Sequence, residues 1–212
     1  MKKALIPVLA VLLAVGGYLY GTFGLRANSS DIVEVKELPA QIADTAKEGI
    51  APEKYINAFV TKVVDGDTID ISYKDERERV RLLDVDTPES VKEGVPAQPY
   101  SLQASGFTKK RLLNQPVKLV FSKGLKDRYG RLLAYVVLKD GTFFNALLVR
   151  NGFARVESIR PNTGLEDYFM ELQGKAIEEK KGIWGLPPDK QPFVKDGRGG
   201  YVPRYSIDGK AS

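Results

Sequence analysis

Two short acidic stretches and two arginines carry residue types able to hold a hard cation beside a phosphate. One stretch is Asp65-Gly66-Asp67-Thr68, and the other is Asp84-Val85-Asp86-Thr87-Pro88-Glu89. Each follows a β-rich run, so each is expected at a strand end. Carboxylates from two such turns, about 20 residues apart, could converge on one ion. Calcium takes oxygen donors in flexible geometry, including backbone carbonyls and water. Taken singly, each stretch has an ordinary reading, because Asp-Gly is a common turn and Asp-Thr-Pro a common strand exit. Arg81 lies in the apolar run Val80-Arg81-Leu82-Leu83, where a guanidinium must find a partner or point into a cleft. Arg131 follows the turn Asp127-Arg128-Tyr129-Gly130, and its ordinary reading is a solvated turn residue. Two arginines facing a two-carboxylate site would form a phosphate clamp, since guanidinium meets phosphate oxygens bidentately.

Absences narrow the chemistry further. The chain contains neither Cys nor His. That excludes a thiolate nucleophile, a disulfide framework, the Ser-His-Asp triad and the usual zinc ligands. Hydrolysis by this chain would have to use carboxylates, cations, hydroxyls or a hard metal ion. The net charge of +5 suits a polyanionic partner but is too small to identify one.

The elements that must position these residues are legible from Ala58 onward. Ala58–Val64 and Thr68–Tyr73 are expected strands around the first acidic turn, and Val80–Val85 is a third strand leading into the second. Gln98–Asn114 reads as a helix, Val117–Ser122 and Leu132–Leu138 as strands, and Phe144–Asn151 as a short helix stopped by Gly152. Phe153–Val156 is expected as a short strand and Leu165–Lys181 as a last helix followed by Gly182. This order predicts an α+β fold, a small Greek-key β-barrel with helices on one side.

Three stretches together resemble the signature of the staphylococcal nuclease family. They are Asp65-Gly66-Asp67-Thr68, Arg81 through Glu89, and Asp127-Arg128-Tyr129-Gly130-Arg131, in the family's order and spacing. Ala104–Lys110, Asn145–Gly152 and Ile183-Trp184 extend the likeness, which covers about residues 58–186. The resemblance implies a five-stranded OB-fold barrel with three helices, and a Ca²⁺-dependent nuclease. It implies that Asp67 and Asp86 bind Ca²⁺ through carboxylates and Thr87 through its carbonyl. Glu89 would orient or deprotonate the attacking water, and Arg81 and Arg131 would hold the scissile phosphate. Arg128 and Tyr129 would contact the substrate, DNA or RNA cut with little sequence preference to leave 3′-phosphate ends. Two departures stand out. The family's best-known member has tyrosines against the nucleotide where this chain has Glu157-Ser158-Ile159-Arg160-Pro161, with no aromatic. The loop Ser90–Pro96 is short, with Lys92 its one cation.

Four regions are expected. Residues 1–25 form an apolar helix behind Lys2 and Lys3, either a signal peptide cut after Ala14-Val15-Gly16 or an uncleaved single-pass anchor with its N-terminus inside. The uncharged run Ala4–Leu25 would span about 33 Å as a helix, and Tyr18, Tyr20 and Phe23 beyond the cleavage triplet favour the anchor. Both readings export the rest of the chain. Residues 26–56 are a linker, 57–188 the nuclease domain, expected to be monomeric, and 189–212 a flexible polar tail. A non-catalytic nucleic-acid-binding module and a cell-surface adaptor are the competing readings. The complete charged set Asp67, Arg81, Asp86, Glu89 and Arg131 argues against the first, and the featureless flanks against the second.

Overall fold

The computed structural model describes residues 32–40, 55–90, 96–197 and 199–208. The expected N-terminal apolar helix, most of the expected linker and residues 91–95 around Lys92 lie outside the described residues. Among the described residues there are seven strands: β1 (Tyr55–Val63), β2 (Thr68–Tyr73), β3 (Glu76–Leu82), β4 (Pro116–Lys126), β5 (Leu132–Leu138), β6 (Phe193–Lys195) and β7 (Tyr201–Pro203). The helices are α1 (Ser101–Leu112), α2 (Phe144–Arg150), α3 (Glu166–Glu178) and the single turn α4 (Tyr205–Asp208). The first five strands close a barrel in the order β1-β2-β3-β5-β4. The pairings are antiparallel except β3 with β5, which run parallel. This is the expected five-stranded OB-fold Greek key with helices α1 to α3 against it.

Burial follows the strand period. In β1, Ala58 and Val60 are buried and Phe59 between them is exposed. In β5, five consecutive residues from Leu133 to Val137 are buried, because that strand lies between β3 and β4 and is also covered from outside. The cover is α3, whose Phe169 stacks 6.2 Å from Tyr135 and meets Phe143 edge-on at 5.7 Å. On α1, Phe107 stacks on Phe153 at 4.3 Å. The ends of α2 and α3 meet backbone to backbone at Gly152 and Gly182, both with positive φ. A Cβ on Gly152 would lie 2.1 Å from the Lys181 carbonyl oxygen, so only glycine allows that approach.

Three expectations are corrected. Phe153–Val156 is not a strand. Its one ladder contact is the isolated bridge between Asp86 and Arg155, and the chain then turns away toward α3. Part of the 26–56 linker packs on the domain. The Phe143 amide donates to the Val35 carbonyl, Asn151 exchanges hydrogen bonds with the Val33 backbone, and Ile32, Val35 and Leu38 lie against the core. The stretch after residue 188 is not a featureless tail either. β6 pairs with β7, and Phe193 is fully buried. Its composition concealed this, since two apolar anchors suffice to dock a short hairpin on a preformed body.

Candidate active site

The first acidic turn joins β1 to β2. The Asp65 carboxylate accepts a hydrogen bond from the Asp67 amide at 3.0 Å, and the Val64 amide closes on the Thr68 carbonyl at 2.9 Å. Gly66 is required by proximity. A Cβ there would sit 2.6 to 2.7 Å from the Thr87 side chain, so the glycine lets the two acidic segments touch. From α1, buried Thr108 donates to the Gly66 carbonyl at 2.7 Å. The turn is thus clamped between a helix and the second acidic segment.

The second segment leaves β3 through Asp84, whose φ is 57°. Asp tolerates the left-handed region better than most residues, and here its buried carboxylate accepts bonds from Tyr135 Oη at 2.6 Å and Ser158 Oγ at 2.8 Å. Burial raises the Asp84 pKa, against the effect of those two donors. The turn brings Asp86 beside Arg155, where each backbone amide donates to the other's carbonyl at 2.9 Å. Thr87 faces the first turn. Its amide and hydroxyl both donate to Asp67 Oδ2, at 2.8 and 3.0 Å. Farther on, the Glu89 amide donates to Gln98 Oε1 at 2.7 Å, and the Gln98 amide returns a bond to the Glu89 carbonyl at 2.8 Å.

Arg81 is buried at the centre of this arrangement. Its Nη1 donates to the Leu82 and Val85 carbonyls, fixing the turn that presents Asp86. Its Nε lies 3.3 Å from Asp67, and Nη2 lies 3.2 Å from Glu157 and 3.7 Å from Asp86. Burial opposes the charge on Arg81, but Asp67, Asp86 and Glu157 more than offset it, and the pKa is raised. Arg131 comes from the turn between β4 and β5. Asp127 aims it, accepting from its Nε at 2.7 Å and its amide at 3.0 Å. Tyr129, 69% exposed, lies under the Arg128 and Arg131 guanidinium groups at 4.8 and 5.6 Å from the ring centre.

These elements enclose one cavity of about 360 Å³. It is lined by Asp67, Arg81, Asp86, Thr87, Glu89, Tyr129 and Arg131, seven of the eight residues singled out in the sequence, together with Asp65, Glu157, Pro203 and Tyr205. Arg128 is not in the lining. Its guanidinium is turned to the Tyr129 hydroxyl at 2.7 Å.

The sequence reading missed Arg155 and Glu157. Arg155 Nε donates to Asp86 Oδ2 at 2.8 Å, and its Nη2 lies 2.7 Å from both Asp86 and Glu157. The signal that singled out Arg81, an arginine in an apolar run, applies equally to Phe153-Ala154-Arg155-Val156. Glu157 had no such signal, because a carboxylate is unexpected beside a phosphate clamp.

Burial dominates the electrostatics of the two aspartates at the cavity. Burial pushes the Asp86 carboxyl up to about 7, with Arg155 and Arg81 pulling it down and Glu157 and Asp67 adding to the rise. Asp65 is also pushed up to about 7, first by burial and then by the charge of Asp67. Carboxylates crowded where water is scarce destabilise each other, and a bound metal ion reverses that. Among the described residues no three carboxylates converge as a ready metal cluster. The carboxylates lining the cavity are those of Asp65, Asp67, Asp86, Glu89 and Glu157, with Asp67 held by Thr87 and Asp86 by Arg155. An all-oxygen set of this kind fits a hard cation that keeps water in its remaining positions.

Comparison with known proteins agrees with this geometry. Residues 79–185 match the family described as staphylococcal nuclease homologue. The chain is 45% identical over 125 residues to a thermonuclease of Staphylococcus hyicus, covering 59% of this chain and 73% of that protein. It is 37% identical over 188 residues to a thermonuclease of Staphylococcus intermedius, covering 87% and 99%. It is 33% identical over 196 residues to the endonuclease YncB of Bacillus subtilis, covering 87% and 92%.

Proposed function

The chain belongs to the staphylococcal nuclease family, and we propose that it is a Ca²⁺-dependent nuclease cutting DNA and RNA with little sequence preference to leave 3′-phosphate ends. That it is a nuclease follows from its family and relatives. The finer reading is carried by one observation, the convergence of two arginines, Glu89 and the Asp67–Asp86–Thr87 oxygens on a single cavity. A phosphodiester bears a negative charge that repels nucleophiles, so its hydrolysis needs charge neutralisation and an aligned water.

In this reading Asp67 and Asp86 would hold Ca²⁺ through carboxylates and Thr87 through its carbonyl. Bound there, Ca²⁺ would supply Lewis-acid charge neutralisation at the phosphate. Arg81 and Arg131 bind the non-bridging oxygens, and the added charge in the transition state strengthens both contacts. Glu89 orients the water and takes its proton as oxygen attacks phosphorus. The bond from phosphorus to the 5′ oxygen breaks, that oxygen takes a proton from solvent water and leaves as a hydroxyl, and Glu89 returns its proton to solvent. Tyr129 meets the substrate at the rim. Arg128 follows the outer face of Tyr129 and meets a phosphate farther along the strand.

The test is digestion of single- and double-stranded DNA and RNA by the purified protein. Calcium is expected to support cleavage, magnesium to replace it poorly, and chelation to abolish it. Asp67→Ala and Asp86→Ala should each raise the calcium needed for half-maximal rate about tenfold or more, at least the effect of disturbing an outer-shell partner. Undiminished cutting after exhaustive chelation would sink the metal assignment.

The run from Ala4 to Leu25 supports a location outside the cytoplasm, with the protein tethered by an uncleaved anchor and its N-terminus inside. The check is the N-terminal residue of the protein from each cell fraction. Met1 retained in the membrane fraction is the expected result. A new N-terminus near Gly16–Ser30 in the medium would replace the anchor with a cleaved signal, and intact protein in the cytosol would defeat export.

A further inference from the structure

The segment after residue 188 reaches the cavity and shares hydrogen bonds with the groups that aim its carboxylates. The Tyr201 carbonyl accepts from Arg155 Nη1 at 2.9 Å, the same guanidinium that holds Asp86. The Pro192 carbonyl accepts from Gln98 Nε2 at 3.2 Å, the same amide group that receives the Glu89 N–H. Phe193 is buried with the Arg155 guanidinium 5.3 Å from its ring centre, and Tyr201 packs edge-on against Trp184 at 4.7 Å. Arg204 then ties the end of the hairpin to its start, donating to the Gln191 and Pro188 carbonyls, with its amide on the Pro192 carbonyl at 2.8 Å. These anchors set the next residue, Tyr205, at the cavity with Pro203.

A base hangs one sugar away from each phosphate, so a ring on the rim of a phosphate cavity is placed to meet a base face. The stretch Glu157–Pro161 supplies no aromatic, and the cavity's aromatic lining consists of Tyr129 and Tyr205. Base–aromatic stacking tolerates any sequence, because every base has a π-face. We infer that the C-terminal hairpin is part of the substrate site, with Tyr205 stacking on the base of a nucleotide next to the scissile phosphate. This rests on the nuclease reading for the position of the phosphate.

The experiment uses the full chain with Tyr205→Ala and Tyr205→Phe. KM and kcat are measured on a labelled single-stranded oligonucleotide. Affinity is read separately by fluorescence anisotropy in calcium, in a Glu89→Gln background where turnover is suppressed. Tyr205→Ala is expected to raise both KM and Kd about 5- to 100-fold, the range for losing one base stack, with kcat within about threefold. Tyr205→Phe should bind like the parent, because the ring and not the hydroxyl makes the contact. On an oligonucleotide abasic at the nucleotides flanking the cut, the Ala and parent proteins should bind alike. A loss that persists undiminished on the abasic strand, or Tyr205→Ala binding at parental affinity, overturns the inference. A fold defect would weaken both oligonucleotides equally and so counts against it. If the parent cuts and Tyr205→Ala is silent, the inference fails alone. If the parent binds in the expected ring-dependent way without cutting, the nuclease reading fails and the stacking site stands.

Discussion

Glu89→Gln is expected to cut a labelled oligonucleotide about 10² to 10⁴ times more slowly than the parent in a single turnover, the usual range for losing an acid–base group. The substitution keeps size and can keep the two backbone hydrogen bonds to Gln98, which involve the Glu89 amide and carbonyl and not its side chain. The fold and calcium affinity should therefore survive, since Asp67 and Asp86 are untouched. What is lost is an oxygen able to take a proton from water at the mouth of the cavity. A surface glutamate after a proline would predict no change. A Glu89→Gln protein with a normal melt and the parental rate would remove the proposed water activation.

Arg81→Lys should be equally severe, lowering the rate by about 10³, as for losing a transition-state donor or a phosphate-clamping arginine. The guanidinium works on two sides. Nη1 holds the Leu82 and Val85 carbonyls, while Nε and Nη2 face the carboxylates lining the cavity. A lysine ammonium is a compact point charge and cannot bridge both sets. Leaving a buried carbonyl unpaired costs about 1–3 kcal/mol, so the melting temperature should fall as well. The two effects separate under single-turnover conditions well below the melt. If only the backbone role matters, the rate follows the folded fraction. If Arg81 also meets phosphate oxygens as they gain charge, folded protein is slow, and kcat falls more than binding weakens. A rate loss fully accounted for by unfolding would confine Arg81 to a structural role.

Particular residues mark what was legible in the sequence and what was not. The barrel strands were readable because β1 and β2 alternate on either side of an Asp-Gly turn, and β5 is continuously apolar. The helices were readable from their apolar spacing and from Gly152 and Gly182 behind them. Boundaries moved, as in β3, which starts at Glu76 and not Val80, because its first half, Glu76–Arg79, is an edge with little burial to reveal it. Phe153–Val156 has strand composition but no partner strand beyond one bridge to Asp86. Composition reports what a segment can form, and pairing depends on what lies beside it.

The candidate site divides along the same line. Asp67, Arg81, Asp86, Thr87, Glu89, Tyr129 and Arg131 were identifiable because their types, order and spacing are local properties of three short stretches. Their convergence on one cavity depends on barrel closure, which brings the β1–β2 turn, the exit of β3 and the β4–β5 turn to one place. The sequence by itself determined the barrel class, the absence of thiol and imidazole chemistry, and the charged set available for phosphate hydrolysis. Only the tertiary structure decided that Arg155 holds Asp86, that Glu157 stands against Arg81, and that the polar C-terminal stretch folds back to place Tyr205 at the cavity. Those contacts join residues 69 to 76 positions apart or dock a hairpin through two apolar anchors, Phe193 and Tyr201. Neither leaves a periodic trace in the chain, because the free energy that fixes them comes from surfaces assembled only after the barrel has closed.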